Sequence, residues 1–171
     1  RNHKLEIIDF MAPSFSTARQ LLSFLQDHRS FVESVEWTGC SNDPLLNLLP
    51  EATWKVDQFD IWLLRVLDVP QAFAQRGYLG MDGELELDVN DATFPNNNGC
   101  WRVIVREGRA IVEAGGKGSL RCGARGLGPL FSGYQTPETL ARLGLVEGSA
   151  ETLAQASRIL AGPRPWMRDH F

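Results

Sequence analysis

Long apolar runs are missing from this 171-residue chain. Its longest strongly apolar stretches are four residues, as in Ile61-Trp62-Leu63-Leu64, so no segment spans a bilayer as a helix. The first residues, Arg1-Asn2-His3-Lys4, lack the apolar core of a secretion signal. They also lack an initiating Met, so the expectation is a portion of a longer translation product. Histidine and cysteine are scarce, with three of each, and no H-x-x-x-H, H-E-x-x-H or C-x-x-C spacing links them, which leaves no metal site to read. Three widely separated cysteines (Cys40, Cys100, Cys122) fit ordinary buried thiols in a reducing, cytoplasmic setting. Nothing points to a Ser-His-Asp or Cys-His nucleophile.

Phosphate loops fail as well. Six glycines lie between Gly115 and Gly128, but Gly116-Lys117-Gly118 has neither a Ser or Thr after the lysine nor a glycine five residues before it. Arg125-Gly126-Leu127-Gly128-Pro129-Leu130 approaches a coenzyme A pyrophosphate loop, but its last position is wrong and Pro129 removes a backbone N–H that such a loop needs. These glycines read instead as tight turns between short strands.

What is present is an ordinary globular composition, 43% hydrophobic and 22% charged. Disorder, collagen and coiled coil are thereby excluded, and a chain of this length can bury roughly 70% of its unfolded surface. The net charge of −4 argues against nucleic acid as a partner. Residues 101–171 carry 10 basic and 6 acidic side chains, leaving 7 and 15 for residues 1–100. An acidic half can attract cationic substrates or simply be a solvated surface.

Residues 1–50 read as strand, helix, strand. Leu5 to Phe10 is a short strand, Thr17 with Gln20 has capping-box spacing ahead of a Leu21, Leu22, Leu25, His28 stripe, and Val32 to Trp37 alternates again. So short a segment buries too little to stand alone, and it resembles the tail of a larger sheet. A boundary is expected near Pro50. Beyond it, Trp54 to Val56 and Ile61 to Leu67 are strand candidates, and Asp68 caps a short helix ended by Gly77. Gly83 to Asn90 alternates strictly, with Leu85, Leu87 and Val89 opposite Glu84, Glu86 and Asp88. Asn98-Gly99 supplies a hairpin turn, and Trp101, Val103 and Val105 return with Arg102 and Arg106 on the other face. Arg109 to Ala114 and Ser119 to Cys122 add strands. Helices follow around Leu127 to Phe131, after Thr136-Pro137 and after Ser149. The predicted fold is α+β: an antiparallel sheet with one wet face and helices packed on its apolar face.

The chain ends Pro163-Arg164-Pro165-Trp166-Met167-Arg168-Asp169-His170-Phe171. Most termini are polar and frayed, whereas this one is stiffened by prolines and apolar enough to dock. A docked Phe171 would carry its α-carboxylate inward, and desolvation would make that weak base a better proton acceptor. The alternative for the terminus is packing alone. The five tryptophans are core residues or the wall of an apolar pocket.

Asp60-Ile61-Trp62-Leu63-Leu64-Arg65-Val66-Leu67-Asp68-Val69-Pro70 resembles the D-x-L-W-x-R-x-x-D-V-P signature of Eis-type (enhanced intracellular survival) GNAT N-acetyltransferases. Gly83-Glu84-Leu85, Asp91 with Pro95 and Asn98-Gly99, Leu127-Gly128, Phe131-Ser132-Gly133-Tyr134 and Pro165-Trp166 to the terminal Phe171 follow in the family's order. The resemblance covers essentially the whole chain. It implies that residues 1–50 end a second GNAT fold, a β-α-β remnant, and that 51–171 form a sterol-carrier-protein-like domain. Acetyl-CoA as co-substrate, and the family's tyrosine general acid, would belong to a first GNAT fold outside this chain, so the chain alone is expected to be inactive.

The same resemblance implies amine acceptors: aminoglycosides, polyamines or lysine side chains. It assigns the general-base role to the Phe171 carboxylate and places Asp60, Trp62 and His170 at the acceptor. Asp60 would hold a second ammonium, or it is a turn residue opening a strand. His170 stands where some members carry an acidic residue, which weakens the expected preference for highly cationic acceptors. Arg65 and Asp68 read structurally, as a strand ion pair and a helix cap. The implied partners are the N-terminal GNAT domains of the same protein and further copies of itself in a homo-oligomer. The competing reading is a non-catalytic sterol-carrier-like module holding an apolar ligand near Trp54, Trp62 and Trp101.

Overall fold

The computed structural model describes residues 3–79 and 81–168. These form two compact units: the first runs through Phe59 and takes in residues 166–168, and the second is Asp60–Pro165.

In the first unit, strand β1 (Lys4–Ile7), helix α1 (Phe15–Asp27) and strand β2 (Ser34–Trp37) make a β-α-β turn whose strands pair in parallel, Lys4 opposite Ser34 and Ile7 opposite Trp37. Helix α1 is capped by Ser14, which accepts from the Thr17 amide at 3.2 Å. The cap therefore falls three residues before the expected Thr17, because Phe15 and Ser16 are already helical. At the other end the His28 ring sits 2.8 Å from the Phe24 carbonyl, a partner for one of the terminal carbonyls. Asp43 accepts from Trp37 Nε1 and from the Leu45 amide, both at 2.9 Å. Ala18 and Leu45 are its only buried apolar residues among those described.

The second unit holds a five-stranded sheet in the order β5-β4-β3-β6-β7, made of β3 (Gly83–Asn90), β4 (Gly99–Arg106), β5 (Arg109–Ala114), β6 (Leu120–Gly123) and β7 (Val146–Glu147). The expected antiparallel sheet is in fact mixed, for β6 runs parallel to β3. The cause is the link at residues 115–119. Ala114 and Leu120 both lie level with Leu87, through Trp101 and directly. The link therefore crosses the polar face instead of turning back as a hairpin. Gly116 lies over Glu86, and Gly118, at φ +61°, leaves no room for a Cβ beside Asp88 and Cys100.

The sheet has the expected one-sided polarity. Leu85, Leu87, Val89, Val103, Val105 and Leu120 are buried under helices α2 (Val69–Gln75), α3 (Ala124–Ser132), α4 (Pro137–Arg142) and α5 (Ala150–Ile159), which contribute Phe73, Leu127, Leu130, Leu140, Ala156 and Ile159. On the wet face Arg102 pairs with Glu84 at 2.9 Å and Arg121 with Asp88 at 3.4 Å, the cross-strand pairing that alternating charge favours. The caps are as expected: Asp68, Thr136 and Ser149 each accept from the amide three residues on.

Four further expectations fail. Trp54 to Val56 and Ile61 to Leu67 are irregular, and neither joins a sheet. Arg76, not Gly77, ends α2. The β3–β4 connection is a longer loop with a 3₁₀ turn at Pro95–Asn97; only Gly99 has a positive φ, while Asn98 sits at −69°. Gly126 and Gly128 are not turn residues either. They lie inside α3, where a Cβ would collide with the Leu145 and Leu64 carbonyls.

Candidate functional site

The signature segment beginning at Asp60 is held to the sheet by side chains rather than by a strand ladder. Asn97, 1% exposed, accepts from the Val69 amide at 2.9 Å and donates to the Val66 carbonyl at 3.2 Å. One side-chain amide thus does for this backbone what a neighbouring strand would otherwise do. The Asn97 carbonyl in turn accepts from Trp101 Nε1 at 2.9 Å.

Beside it, Asp91 is 1% exposed and accepts from the Thr93 and Phe94 amides at 2.9 and 3.0 Å and from Arg65 at 2.5 Å. Its own amide donates to Asn98 Oδ1. The Arg65 guanidinium also lies 5.2 Å over the Phe94 ring. Burial opposes ionisation of Asp91, but the Phe94 and Thr93 amides, the Asn97 side chain and Arg65 outweigh it and hold its pKa below the ordinary 3.8. Arg65 and Asp68 are thus structural, as expected, although the ion pair belongs to a loop and not to a strand. Asp91 and Asn97 complete the network. Their signal was weak: Asp91 in an Asn-Asp-Ala-Thr run fits an Asx turn, but nothing in the spacing pairs it with Arg65, 26 residues away.

Of the predicted site residues, Asp60 and Trp62 lie just upstream of this anchor, both exposed, Trp62 by 41%. His170 and Phe171 lie outside the described residues, so the described part of the chain does not bring the four together. Residues 166–168 belong to the first unit, and there Arg168 donates to Asp9 at 2.9 Å.

Two other chemistries find no support here. The Arg125-to-Leu130 stretch, which approaches a pyrophosphate loop in sequence, is helical and part of α3, with Gly126, Leu127, Gly128 and Leu130 buried. The three cysteines are free thiols. That of Cys122 is pushed up to about 12 by burial and by the Asp88 charge, the opposite of an activated nucleophile. Among the described residues no His, Cys, Asp and Glu group could hold a metal ion, and no helix is long and apolar enough to cross a membrane.

Comparison with known families divides the chain in the same sense. Residues 1–66 match the acetyltransferase (GNAT) domain family, and residues 69–168 match the sterol carrier protein domain family. The chain belongs to the latter family through that second stretch, with a GNAT domain ahead of it. No curated protein sequence matches it.

Among solved structures, it is similar to a GCN5-related N-acetyltransferase from Anabaena variabilis, at 34% identity and a TM-score of 0.92, over 96% of this chain and 42% of that one. A GCN5-related N-acetyltransferase from Kribbella flavida shows 28% identity and a TM-score of 0.84, over 97% and 43%. Eis1 from Mycobacterium abscessus shows 25% identity and a TM-score of 0.80, over 100% and 44%. The chain thus spans less than half the length of the structures it resembles.

Proposed function

We propose that this chain is the C-terminal part of an Eis-type, acetyl-CoA-dependent N-acetyltransferase of the cytoplasm, and that it helps form the acceptor pocket. The observation that carries the reading is the fate of the chain's end. Residues 166–168 leave the sterol-carrier unit that precedes them and join the unit containing the GNAT match, where Arg168 pairs with Asp9. In this reading the chain's last residue, Phe171, serves the acetyltransferase part of the protein through its terminal carboxylate.

The chemistry follows from that carboxylate. A primary amine attacks the thioester carbonyl of acetyl-CoA, the N–C bond forms, the C–S bond breaks and the thiolate leaves. The surplus proton on nitrogen passes to the Phe171 carboxylate, and the thiolate takes its proton from the tyrosine that the resemblance places outside residues 1–171. Asp60 holds a second ammonium of the acceptor, while Trp62 and His170 line the pocket. Acetyl-CoA is bound upstream, and the active assembly is a homo-oligomer.

The apolar-ligand reading gains nothing from the core. Val69, Phe73, Leu87, Val103, Val105 and Leu120 have no accessible surface, so no water-sized void touches them. Trp54 and Trp62, expected to line a tunnel, are 46% and 41% exposed. Thiol release from acetyl-CoA, with a polyamine or aminoglycoside acceptor and the protein encoded by the complete reading frame, tests the proposal. Turnover is expected, and its absence with every amine class contradicts the reading.

A further inference from the structure

Two buried polar side chains, Asp91 and Asn97, stand under the segment that carries Asp60 and Trp62. The segment has weak local reasons to hold its course. Residues 61–67 have no regular hydrogen-bonded structure, and Ile61 and Leu63 are 77% and 94% exposed. Its course from Leu64 onward is set by long-range contacts. The Leu64 carbonyl lies where only a glycine, Gly128, leaves space. Arg65 reaches Asp91, and the Val66 carbonyl and Val69 amide are both taken by Asn97. Arg65 is three residues from Trp62, at most about 10 Å of extended chain, so freedom at Arg65 becomes displacement at Trp62 and Asp60.

We infer that Asp91, acting through Arg65, is a positioning residue that fixes where Asp60 and Trp62 meet the acceptor. The inference rests on the proposed function for what is positioned, and on the Arg65–Asp91–Asn97 geometry for how. Asp91 accepts two backbone amides as well as Arg65, so the carboxylate is itself immobile and gives Arg65 a fixed point. The Phe94 ring, 5.2 Å from the guanidinium carbon, closes the other side of the Arg65 side chain. Asp91 is too deeply buried to meet an acceptor directly, and its effect must therefore pass through the segment.

The test uses the protein from the complete reading frame and the substitutions Asp91→Asn, Arg65→Lys and Asp60→Asn. Amide hydrogen exchange comes first, because it is independent of activity. Asp91→Asn should speed exchange by about tenfold at the Val69 amide, which ties the segment to Asn97, while β3 and β4 keep their protection, since a local anchor opens a local unit. Kinetics follow. The acceptor KM should rise by about tenfold for a diamine, with kcat and the acetyl-CoA KM within about twofold, the signature of lost acceptor placement. Arg65→Lys, which keeps the charge but not the fork, should give a smaller change in the same direction.

In an Asp60→Asn background, Asp91→Asn should add less than about twofold to KM, because both changes then remove one shared function. Unchanged exchange at Val69, or exchange accelerated equally across the sheet, overturns the anchor. A fall in kcat at constant acceptor KM, or fully multiplicative KM effects, overturns the positioning role. If the unsubstituted protein transfers no acetyl group to any amine, the proposed function falls and takes the acceptor role with it, while exchange still decides the anchor.

Discussion

Glu107 adopts a positive φ of +49°, followed by Gly108 at +76°, and this pair turns β4 into β5. Both central positions of such a turn favour Asn, Asp or Gly, whose small side chains tolerate the left-handed region. Glu107→Asn should therefore stabilise the protein by about 0.5–1 kcal/mol, seen as a higher urea midpoint at unchanged slope; a lower midpoint would show that the glutamate side chain has a role of its own. Asp91 makes a prediction about pH. Its folded pKa lies below the ordinary 3.8, so its contribution is fully present above that value and is lost as pH falls through the lower folded one. Thermal unfolding of the parent and of Asp91→Asn should differ most near neutrality and converge in acid; curves that stay parallel to low pH contradict this account of the carboxylate. The Arg65–Asp91 pair could not be read from spacing, because an ion pair across 26 residues needs the β3–β4 loop in place before its partners meet.

Three helix ends converge on one side chain. Arg76 caps α2, donates to the Phe131 carbonyl of α3 at 3.0 Å and to the Leu160 carbonyl beyond α5 at 2.7 Å, and lies 4.9 Å over the Tyr78 ring. A cation at helix C-termini meets both the unpaired carbonyls and the negative end of the dipole. Arg76→Met should cost about 2–3 kcal/mol in urea unfolding, since it removes two charge-assisted hydrogen bonds from partly buried carbonyls. A cost under about 0.5 kcal/mol, the range of ordinary surface changes, would mean that water replaces the guanidinium there. Helix α3 tests packing against propensity. Alanine gains about 1 kcal/mol over glycine in a helix interior, but a Cβ at Gly126 would press on the Leu145 backbone, and overpacking costs about 1–3 kcal/mol. Gly126→Ala should be a net loss.

At this scale the sequence was readable where signals are local. The caps at Asp68, Thr136 and Ser149 and the alternation in β3, β4 and β5 rest on neighbours within a few residues. It misled where the partner is distant. The apolar run from Ile61 to Leu67 reads as a strand, but the backbone pairing there went to the Asn97 side chain. Glycine density at 115–128 suggested turns, whereas Gly126 and Gly128 mark close approach of other backbones.

For the molecule as a whole, a short strand-helix-strand segment and a long one-sided sheet differ in how much they bury. The first unit buries Ala18 and Leu45, the second an entire sheet face. The parallel β6 was not legible, since a five-residue glycine-rich link fits a hairpin and a crossing equally well until the strands' register is known. Asp60, Trp62 and His170 entered through resemblance, not through periodicity, and Phe171 entered first through the apolar, proline-stiffened terminus and then through the resemblance; His170 and Phe171 lie outside the described residues. The most direct measurement is acetyl transfer to a polyamine by the protein from the complete reading frame, with and without Phe171, alongside thermal unfolding of both forms. Removing that residue shifts the carboxylate to His170, and the account predicts a loss of about 10²–10⁴-fold in kcat, the range of general-base catalysis, at an unchanged melting temperature. Turnover indifferent to the deletion, in a protein that remains folded, would contradict it.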